Sequence, residues 1–241
     1  MLPFVQFAEK EGIYMLAYKA FQPGLVCLGF RFVMGLNETE KANCAQNGFH
    51  CAANPLDCLT YYPDMKKSEY YLVDAGGDLD EDAVDSKISC TKLTVLQKLD
   101  HKDFFLHALA YMADHPKRVW NRHVCRDSAH AASGFAIVRG VDPLAIGQLG
   151  DILALAKEDS TAGVISQIAL TQVDGEKILP GRWYDILSLS PVLRILCRVS
   201  EMPWTGREKG ENYEPSKVIV SGTGNHPPLQ PGGACRPGLY P

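Results

Sequence analysis

The sequence predicts an α+β protein in which mixed strands and one main helix precede a small antiparallel β meander. Runs rich in aromatic and β-branched residues lie early in the chain, at 18–21 and 25–34, and predict strands. One long amphipathic pattern follows at 100–115 and predicts a helix. Strand-like runs return at 151–187, where Asp174-Gly175 is a type I′ hairpin signal. Strands on both sides of one helix favour the α+β class.

The composition indicates a globular chain of one or two domains. The chain has 241 residues, of which 46% are hydrophobic and 22% charged, and this is ordinary for a globular protein. A net charge of −4 without a basic run argues against a nucleic-acid partner. No apolar stretch approaches the roughly 20 residues that span a bilayer, and the first residues lack a signal-peptide pattern. We therefore expect a cytoplasmic protein without membrane contact.

The eight cysteines are predicted to be free and mostly buried. An even count in a small secreted chain would indicate a disulfide framework, but this chain is long for such a scaffold. A free cysteine packs like a small hydrophobic residue. The eight are Cys27, Cys44, Cys51, Cys58, Cys90, Cys125, Cys197 and Cys235.

The first strands are predicted to form a hairpin after an N-terminal extension. Residues 1–14 precede Met15, which is a candidate native start. Pro23-Gly24 separates the first two strand-like runs and predicts a turn. Gly29 interrupts the second run and predicts a bulge or a close backbone approach. The polar stretch that follows, 36–46, is predicted to be a loop or a short helix.

The segment 47–63 gathers His, Cys and Tyr residues and is predicted to be a strand, a turn and a short helix. The strand covers 48–51. Asn54-Pro55 predicts the turn, since Pro55 suits a first helical position and Asn54 can cap it. The helical turn leads to Tyr61 and Tyr62. This is the densest collection of candidate functional residues in the chain.

The middle of the chain is predicted to contain two more strands and the main helix. The strands cover 70–73 and 88–95, and the acidic run between them, 78–85, is predicted to be a solvated loop because it lacks the pattern of a calcium loop. Asp100 is the predicted N-cap of the helix at 100–115. Pro116 follows it and is typical of a helix end.

The residue composition changes in the second half of the chain, and this change sets the predicted domain boundaries. Small residues dominate 128–140, and turn signals separate the strands of the meander. Proline, glycine and polar residues without periodicity fill the end of the chain, which is typical of an irregular tail. The predicted organisation is an extension 1–14, an α+β domain 15–118, a small-residue connector 119–150, a β meander 151–187 and a tail 188–241.

The N-terminal part resembles an uncharacterised domain family that is common in bacteriophages and prophages. Its members share a Tyr-Lys-Gly-Phe motif, a Gly-Phe-x-[Phe/Tyr]-x-x-Gly strand, a Gly-Phe-His-[Ala/Cys] motif, an Asn-Pro-Leu-Asp turn and a Tyr pair. Ala20 departs from the glycine of the first motif, which indicates that this position does not require a positive φ. The matching residues are 18–21, 29–35, Cys44, 48–51, 54–57 and 61–62.

The resemblance continues into the second half of the chain, to about residue 187. Relatives carry tandem Ala-His-Ala-Ala-[Thr]-Ser-Gly units, and 129–134 is similar to a single copy. They end in a Val-Asp-Gly hairpin followed by Trp-Tyr, which 173–184 matches. The family implies no activity. It implies a phage-type or prophage-type protein, and a host or phage protein is the partner we expect.

One catalytic hypothesis is a site similar to that of ADP-ribosyltransferases, with NAD as the cofactor. In that fold a His or Arg on the first strand holds the nicotinamide ribose, an aromatic residue stacks on the ring, and a later Glu orients the ribose hydroxyl. Lys19 and His50 occupy the first two places, Tyr62 flanks the cleft, and Glu176 is the nearest candidate for the acid.

Two further hypotheses use the cysteines. Cys44, His50, Cys51 and Cys58 are residue types that bind zinc, but they lack the Cys-x₂₋₄-Cys pairs of structural zinc sites. A thiol nucleophile at Cys51 or Cys44 would need activation by His50. Adjacent strand residues face opposite sides, so His50 is poorly placed to activate Cys51.

The leading interpretation is a non-catalytic binding or accessory module without a cofactor. It requires only a folded scaffold, and no complete catalytic set is evident in the sequence. Its ligand or partner and its oligomeric state are not specified by any motif.

Overall fold

The chain divides into two units in a computed structural model that describes residues 15–42, 47–81 and 86–189. Unit 1 ends at Leu99 and unit 2 begins at Asp100. This boundary lies within the segment 15–118, for which the sequence predicts one domain. Residues 1–14, Cys44 and residues 190–241 of the predicted tail 188–241 lie outside the described residues.

Unit 1 is a sheet that closes on itself, with a small hairpin beside it. The strand order is β4-β7-β5-β1-β6, and β6 also pairs antiparallel with β7. The pairings β7–β5, β5–β1, β1–β6 and β6–β7 therefore form a ring of strands. The strands are β1 (Met15–Phe21), β2 (Val26–Cys27), β3 (Phe30–Arg31), β4 (Gly35–Glu38), β5 (Phe49–Ala52), β6 (Glu69–Glu81) and β7 (Lys87–Leu99).

The core of unit 1 comes from one face of these strands. Residues two apart in a strand share a face, so Ala17 and Phe21 of β1 lie on the same side, and both are fully buried. Phe21 packs edge-on against Phe32 and Tyr71, with ring centroids 5.1 and 5.4 Å apart. The other core residues are Phe49, Cys51, Val73, Ala75, Ile88, Cys90, Leu93 and Val95.

The acidic run is part of a strand rather than a loop over much of its length. β6 continues through Asp78 and Asp80 to Glu81, and Leu79 pairs with Cys90 of β7. A bulge between Gly76 and Leu79 accompanies this change of register. The prediction of a loop at 78–85 is therefore wrong for 78–81, because β6 extends to Glu81, and Asp80 and Glu81 pair with β7.

Strand β5 is followed by the predicted turn and helix. A 3-10 helix, Pro55–Asp57, leads into α1, Cys58–Tyr61. The side chain of Asn54 accepts a hydrogen bond from the backbone N–H of Leu56 at 3.1 Å, which confirms the predicted cap. Asp57 holds the segment against the start of β7, since its Oδ2 accepts a 2.6 Å bond from the Ser86 hydroxyl.

Unit 2 combines one helix with a second sheet. Helix α2 (His101–Asp114) begins at the predicted cap Asp100, whose side chain accepts from the N–H of Asp103. The helix packs its buried residues against β10 and β11. The strand order is β11-β10-β9-β12, and β8 pairs with β9. The strands are β8 (Val124–His130), β9 (Phe135–Ile146), β10 (Ile152–Glu158), β11 (Ile165–Gln172) and β12 (Trp183–Asp185).

The small-residue segment forms stacked parallel strands. β8 runs parallel to β9, and β9 runs parallel to β10. Parallel strands usually need a crossover of about a dozen residues, but only residues 131–134 and 147–151 connect these three. The chain therefore winds in a coil whose successive turns stack on one another, as in solenoid proteins. Ala145 of β9 pairs with Ala129 of β8 and with Tyr184 of β12, and all three residues are buried.

The predicted α+β class with one main helix is wrong. Strands contain 51% of the described residues and helices 13%, so the protein is mainly β. The antiparallel meander is also wrong in its last strand, because β12 pairs with β9 rather than with β11. β8 pairs in parallel with β9, with Ala129 opposite Ala145, and local patterns gave no sign of this pairing between separate strands.

Candidate functional site

Lys19 is a buried lysine at the centre of unit 1. It lies between Ala17 and Phe21 on the same face of β1, and it is only 5% exposed. Its ammonium nitrogen is 2.5 Å from the carbonyl oxygen of His50. The same nitrogen lies 5.1 Å from the ring centroid of Phe32 and 5.3 Å from that of Phe21. Lysine is almost never fully buried without partners, and here a carbonyl and two aromatic faces stabilise the charge.

The sulfur of Cys27 lies between Lys19 and Tyr62. The Tyr62 hydroxyl donates to Cys27 Sγ at 3.2 Å, and Lys19 Nζ donates to the same sulfur at 3.7 Å. Desolvation raises the pKa of Tyr62, and the hydrogen bond to Cys27 raises it further. The Tyr70 hydroxyl donates to the Tyr62 carbonyl at 2.7 Å and so positions the end of α1. We call Lys19, Cys27 and Tyr62 the thiol cluster.

His50 is connected to the thiol cluster through its backbone carbonyl, which accepts from the Lys19 ammonium. It lies on β5 opposite Ser89 of β7 and is half-buried. Desolvation lowers the pKa of His50, and the positive charges of Lys19 and Lys87 lower it further. Burial and two nearby cations therefore favour the neutral imidazole.

The buried thiols of β5, β7 and α1 behave as core residues. Cys51 and Cys90 pack together, and the hydrogen bond with Cys90 is the main reason that the pKa of Cys51 is raised. Burial raises the pKa of Cys58 to about 12. The contact between Cys51 and Cys90 acts in the opposite direction on Cys90, because the hydrogen bond with Cys51 lowers the pKa of Cys90. A thiol with a raised pKa, as at Cys51 and Cys58, is a weak nucleophile and a weak metal ligand near neutral pH. Among the described residues, no group of three or more His, Cys, Asp or Glu side chains is arranged to hold a metal. The zinc hypothesis also involves Cys44, which lies outside the described residues, and it stays a prediction.

Glu176 belongs to unit 2, whereas Lys19, His50 and Tyr62 belong to unit 1. Glu176 is exposed and lies between β11 and β12. Its backbone N–H donates to Asp174 Oδ1 at 2.9 Å, as do those of Lys177 and Ile178. These bonds lower the pKa of Asp174. The structure thus brings three of the four predicted residues together in one unit.

An exposed apolar segment follows Cys27 directly. Among the described residues, five of the eleven exposed large hydrophobic side chains lie between positions 28 and 36. The backbone turns at Leu28 and Gly29, where φ is 50° and 81°. Cys27 pairs with Phe30 on either side of this two-residue turn. The five residues are Leu28, Phe30, Val33, Met34 and Leu36, and we call them the 28–36 segment.

Neither the place of Cys27 in this cluster nor the turn after it was apparent in the sequence. The apolar pattern predicts one strand-like run at 25–34 with a bulge or a close backbone approach at Gly29, whereas the structure has two short strands and a tight turn. Two-residue turns with positive φ at both positions favour Asn-Gly or Asp-Gly. Leucine at the first position gives no such signal, so only Gly29 could have indicated the turn.

Comparison with known proteins finds a family match for part of the chain. Residues 15–107 match the model of a family described as a domain of unknown function, DUF7666. This supports the predicted resemblance to an uncharacterised domain, while the resemblance beyond residue 107 and the phage origin stay predictions. Comparison with curated proteins gave no significant match, and comparison with solved structures gave none either.

No helix within residues 15–42, 47–81 and 86–189 is both long enough and apolar enough to cross a bilayer.

Proposed function

We propose that the protein is a non-catalytic binding module that docks onto another protein through the 28–36 segment. The observation that carries this proposal is Leu28, whose side chain is 96% exposed at the tip of the β2–β3 hairpin. Burying a leucine side chain contributes about 1.5–3 kcal/mol, and in the isolated protein this contribution is not realised at Leu28.

The backbone at the tip adds a second cost. Leu28 has φ of 50°, in the left-handed region, which costs a residue with a side chain roughly 1–2 kcal/mol. An asparagine or glycine would relieve this cost and remove an exposed apolar group. A leucine that is unfavourable for the isolated fold on both counts is well suited to be the central anchor of an interface, where apolar side chains fill a partner pocket.

The neighbouring residues support the tip as a contact surface. The ring of Phe30 is 48% exposed, and its other side packs on Phe32 and Phe49 at 4.7 and 5.4 Å. The ring is therefore held in place before any partner binds, which lowers the entropic cost of binding. The Gly24 N–H donates to Glu69 at 3.1 Å and fixes the base of the hairpin.

The charge beside the tip defines the chemistry of the partner. Arg31 is exposed, and it forms no ion pair within the described ranges of the chain. Glu38, the acidic residue of β4, pairs with Lys92 at 3.1 Å. This apolar surface beside the Arg31 cation complements an apolar pocket bordered by a carboxylate. Binding to an anionic membrane surface usually relies on clusters of 4–8 basic residues, so a protein partner fits better. The phage-type resemblance makes a host or phage protein the expected class.

The ADP-ribosyltransferase hypothesis gains less support from these contacts. Lys19 would have to present its ammonium group to NAD, but this group is buried and bonded to the His50 carbonyl and to Cys27. If NAD binds at this site, millimolar NAD should raise the melting temperature, and Lys19→Met should abolish the shift. The binding module predicts no shift.

Photo-crosslinking tests the proposed docking surface. A photoreactive amino acid is placed at position 28 of the full chain, and a matched control carries it at Val119, which is 93% exposed in unit 2. We expect a crosslinked protein specific to position 28 in cells that express the chain naturally. The purified partner should then bind wild type and bind Arg31→Glu more weakly.

Three outcomes would overturn the proposal. The first is the absence of a product specific to position 28. The second is a product of two copies of this chain, which would indicate self-association. The third is Leu28-dependent co-sedimentation with phosphatidylcholine–phosphatidylglycerol vesicles, which would indicate a membrane surface instead.

A further inference from the structure

We propose that Cys27 is a nucleophilic thiol that peroxides oxidise selectively to a sulfenic acid. The geometry of the thiol cluster carries this inference, which goes beyond the proposed docking function. Cys27 Sγ accepts hydrogen bonds from the Tyr62 hydroxyl at 3.2 Å and from the Lys19 ammonium at 3.7 Å. Two donors on one sulfur, one of them cationic, stabilise negative charge there.

The ammonium group is fixed in position before any reaction. Lys19 donates to the His50 carbonyl at 2.5 Å and lies over the rings of Phe21 and Phe32. Because these contacts hold the cation close to the sulfur, little reorganisation is needed when charge develops during attack. Preorganised donors of this kind are the usual source of electrostatic stabilisation in reactive sites.

Cys27 is also more accessible than most of the described cysteines. Cys51, Cys58 and Cys90 are buried, whereas Cys27 and Cys125 are partly exposed. Reactive cysteines combine partial exposure with a positively charged environment. Cys125 is also partly exposed but lies in the other unit from Lys19 and Tyr62, so the chain provides an internal control.

The reaction balances with hydrogen peroxide as the oxidant. The thiolate sulfur attacks one peroxide oxygen, so that an S–O bond forms and the O–O bond breaks. The thiol proton is first lost to solvent; the departing hydroxide then takes a proton from Lys19 or Tyr62, and that donor recovers a proton from solvent. The net change is Cys–SH + H₂O₂ → Cys–SOH + H₂O, in which sulfur is oxidised and peroxide is reduced.

The position of Cys27 places this chemistry next to the tip of the β2–β3 hairpin, beside the 28–36 segment. Cys27 immediately precedes Leu28, and its bond to Tyr62 connects β2 to the end of α1. A sulfenic oxygen on Cys27 would occupy space next to the Tyr62 hydroxyl. The modification and the docking remain separable, because the first is detected on the isolated protein.

Sulfenic-acid trapping tests the inference. The full chain is treated with hydrogen peroxide and dimedone, and the labelling rate of each cysteine is measured by peptide mass spectrometry. We expect Cys27 to be labelled faster than Cys125. Lys19→Met, which keeps a side chain of similar length, should slow the labelling of Cys27 by about tenfold or more, since it removes a unit charge close to the sulfur.

Matched variants separate the chemistry from folding. Tyr62→Phe removes the phenol that donates to the sulfur and should also slow labelling. Tyr61→Phe removes the hydroxyl of its exposed neighbour and should not. If Lys19→Met fails to fold, as judged by circular dichroism, the Tyr62→Phe and Tyr61→Phe pair still decides. Equal labelling of Cys27 and Cys125, or equal rates in Tyr62→Phe and Tyr61→Phe, would overturn the inference.

Discussion

The ammonium nitrogen of Lys19 lies 2.5 Å from the carbonyl oxygen of His50 and connects β1 to β5 inside unit 1. These strands are otherwise paired at Tyr18 and Ala52, so the side chain adds a polar link where the backbone ladder is short. We therefore expect Lys19→Ala to reduce the free energy of unfolding by about 2–4 kcal/mol, through lost packing and a lost charged hydrogen bond. Lys19→Met should lose less because it retains the buried volume. Urea titrations of both variants test this, and equal losses would show that packing contributes little.

The environment of His50 predicts a loss of stability on acidification. Burial, Lys19 and Lys87 lower the pKa of His50 in the folded state, whereas the unfolded value is about 6.5. The unfolded state therefore binds a proton more readily. The stability due to neutral His50 is present above about pH 6.5 and is lost as the pH falls through the lowered folded pKa.

Comparison of His50→Gln with wild type measures this contribution. The unfolding free energy of wild type should fall between about pH 7.5 and 5.5, on either side of the unfolded value, and that of His50→Gln should fall less. His107→Gln is a useful comparison because burial also lowers the pKa of His107 in unit 2. An identical pH dependence in His50→Gln and wild type would contradict the prediction.

The turn at Leu28 predicts that a polar substitution stabilises the protein. Leu28→Asn places at a left-handed position a residue that tolerates this conformation. We expect the free energy of unfolding to rise by about 1 kcal/mol, which corresponds to roughly 2–4 °C in melting temperature for a chain of this size. Val119→Asn, at an equally exposed site, should change the melting temperature little. A clear loss of stability in Leu28→Asn would mean that Leu28 already contributes to the fold.

The close approach of β9 to β8 at Gly140 predicts that adding a single methyl group there lowers the stability of the fold. A Cβ on Gly140 would lie 3.1 Å from the Cα of Asp127 and still closer to its carboxylate. Asp127 itself has φ of 61° at the irregularity between Arg126 and Ser128, so the backbone there has little freedom to move. We expect Gly140→Ala to cost about 1–3 kcal/mol.

Gly134→Ala is the matched control for this steric effect. Gly134 has φ of 95°, and apart from Gly134 and its two chain neighbours no heavy atom lies within 4 Å of the position that an alanine Cβ would take there, so its substitution tests backbone strain alone. Thermal melting of both variants, followed by circular dichroism, separates the two effects. A Gly140→Ala protein as stable as wild type would contradict the close approach of Gly140 in β9 to Asp127 in β8.

Local signals were sufficient for several elements of the fold. Asp100 and Asn54 cap helical segments as predicted because a cap depends on residues close in sequence. The stacking of β8, β9 and β10 depends on register between distant residues such as Val124 and Ile137. Alternation and turn signals do not specify such pairing. Asp174-Gly175 predicted a hairpin between the strands on either side of it, whereas the later strand, β12, pairs with β9.

The candidate site was only partly apparent for a similar reason. Residue type identified Lys19, His50 and Tyr62 as candidates, and the structure brings them together in unit 1. No local pattern indicated that the Lys19 ammonium binds a carbonyl and a cysteine sulfur, since these contacts form only when separate strands are brought together. The exposure of Leu28 was equally hidden, because a leucine within an apolar run predicts burial.

The most direct test of the docking surface uses the partner protein that is captured by the crosslink at position 28. After this partner is purified, its affinity is measured for wild type, for Leu28→Asn and for Val119→Asn. If Leu28 is the anchor, Leu28→Asn should weaken binding by about 10- to 100-fold, which corresponds to the loss of one buried leucine. Val119→Asn should bind like wild type, and the melting temperature of Leu28→Asn should be no lower than that of wild type. Wild-type affinity in Leu28→Asn would contradict the role of Leu28 as the anchor.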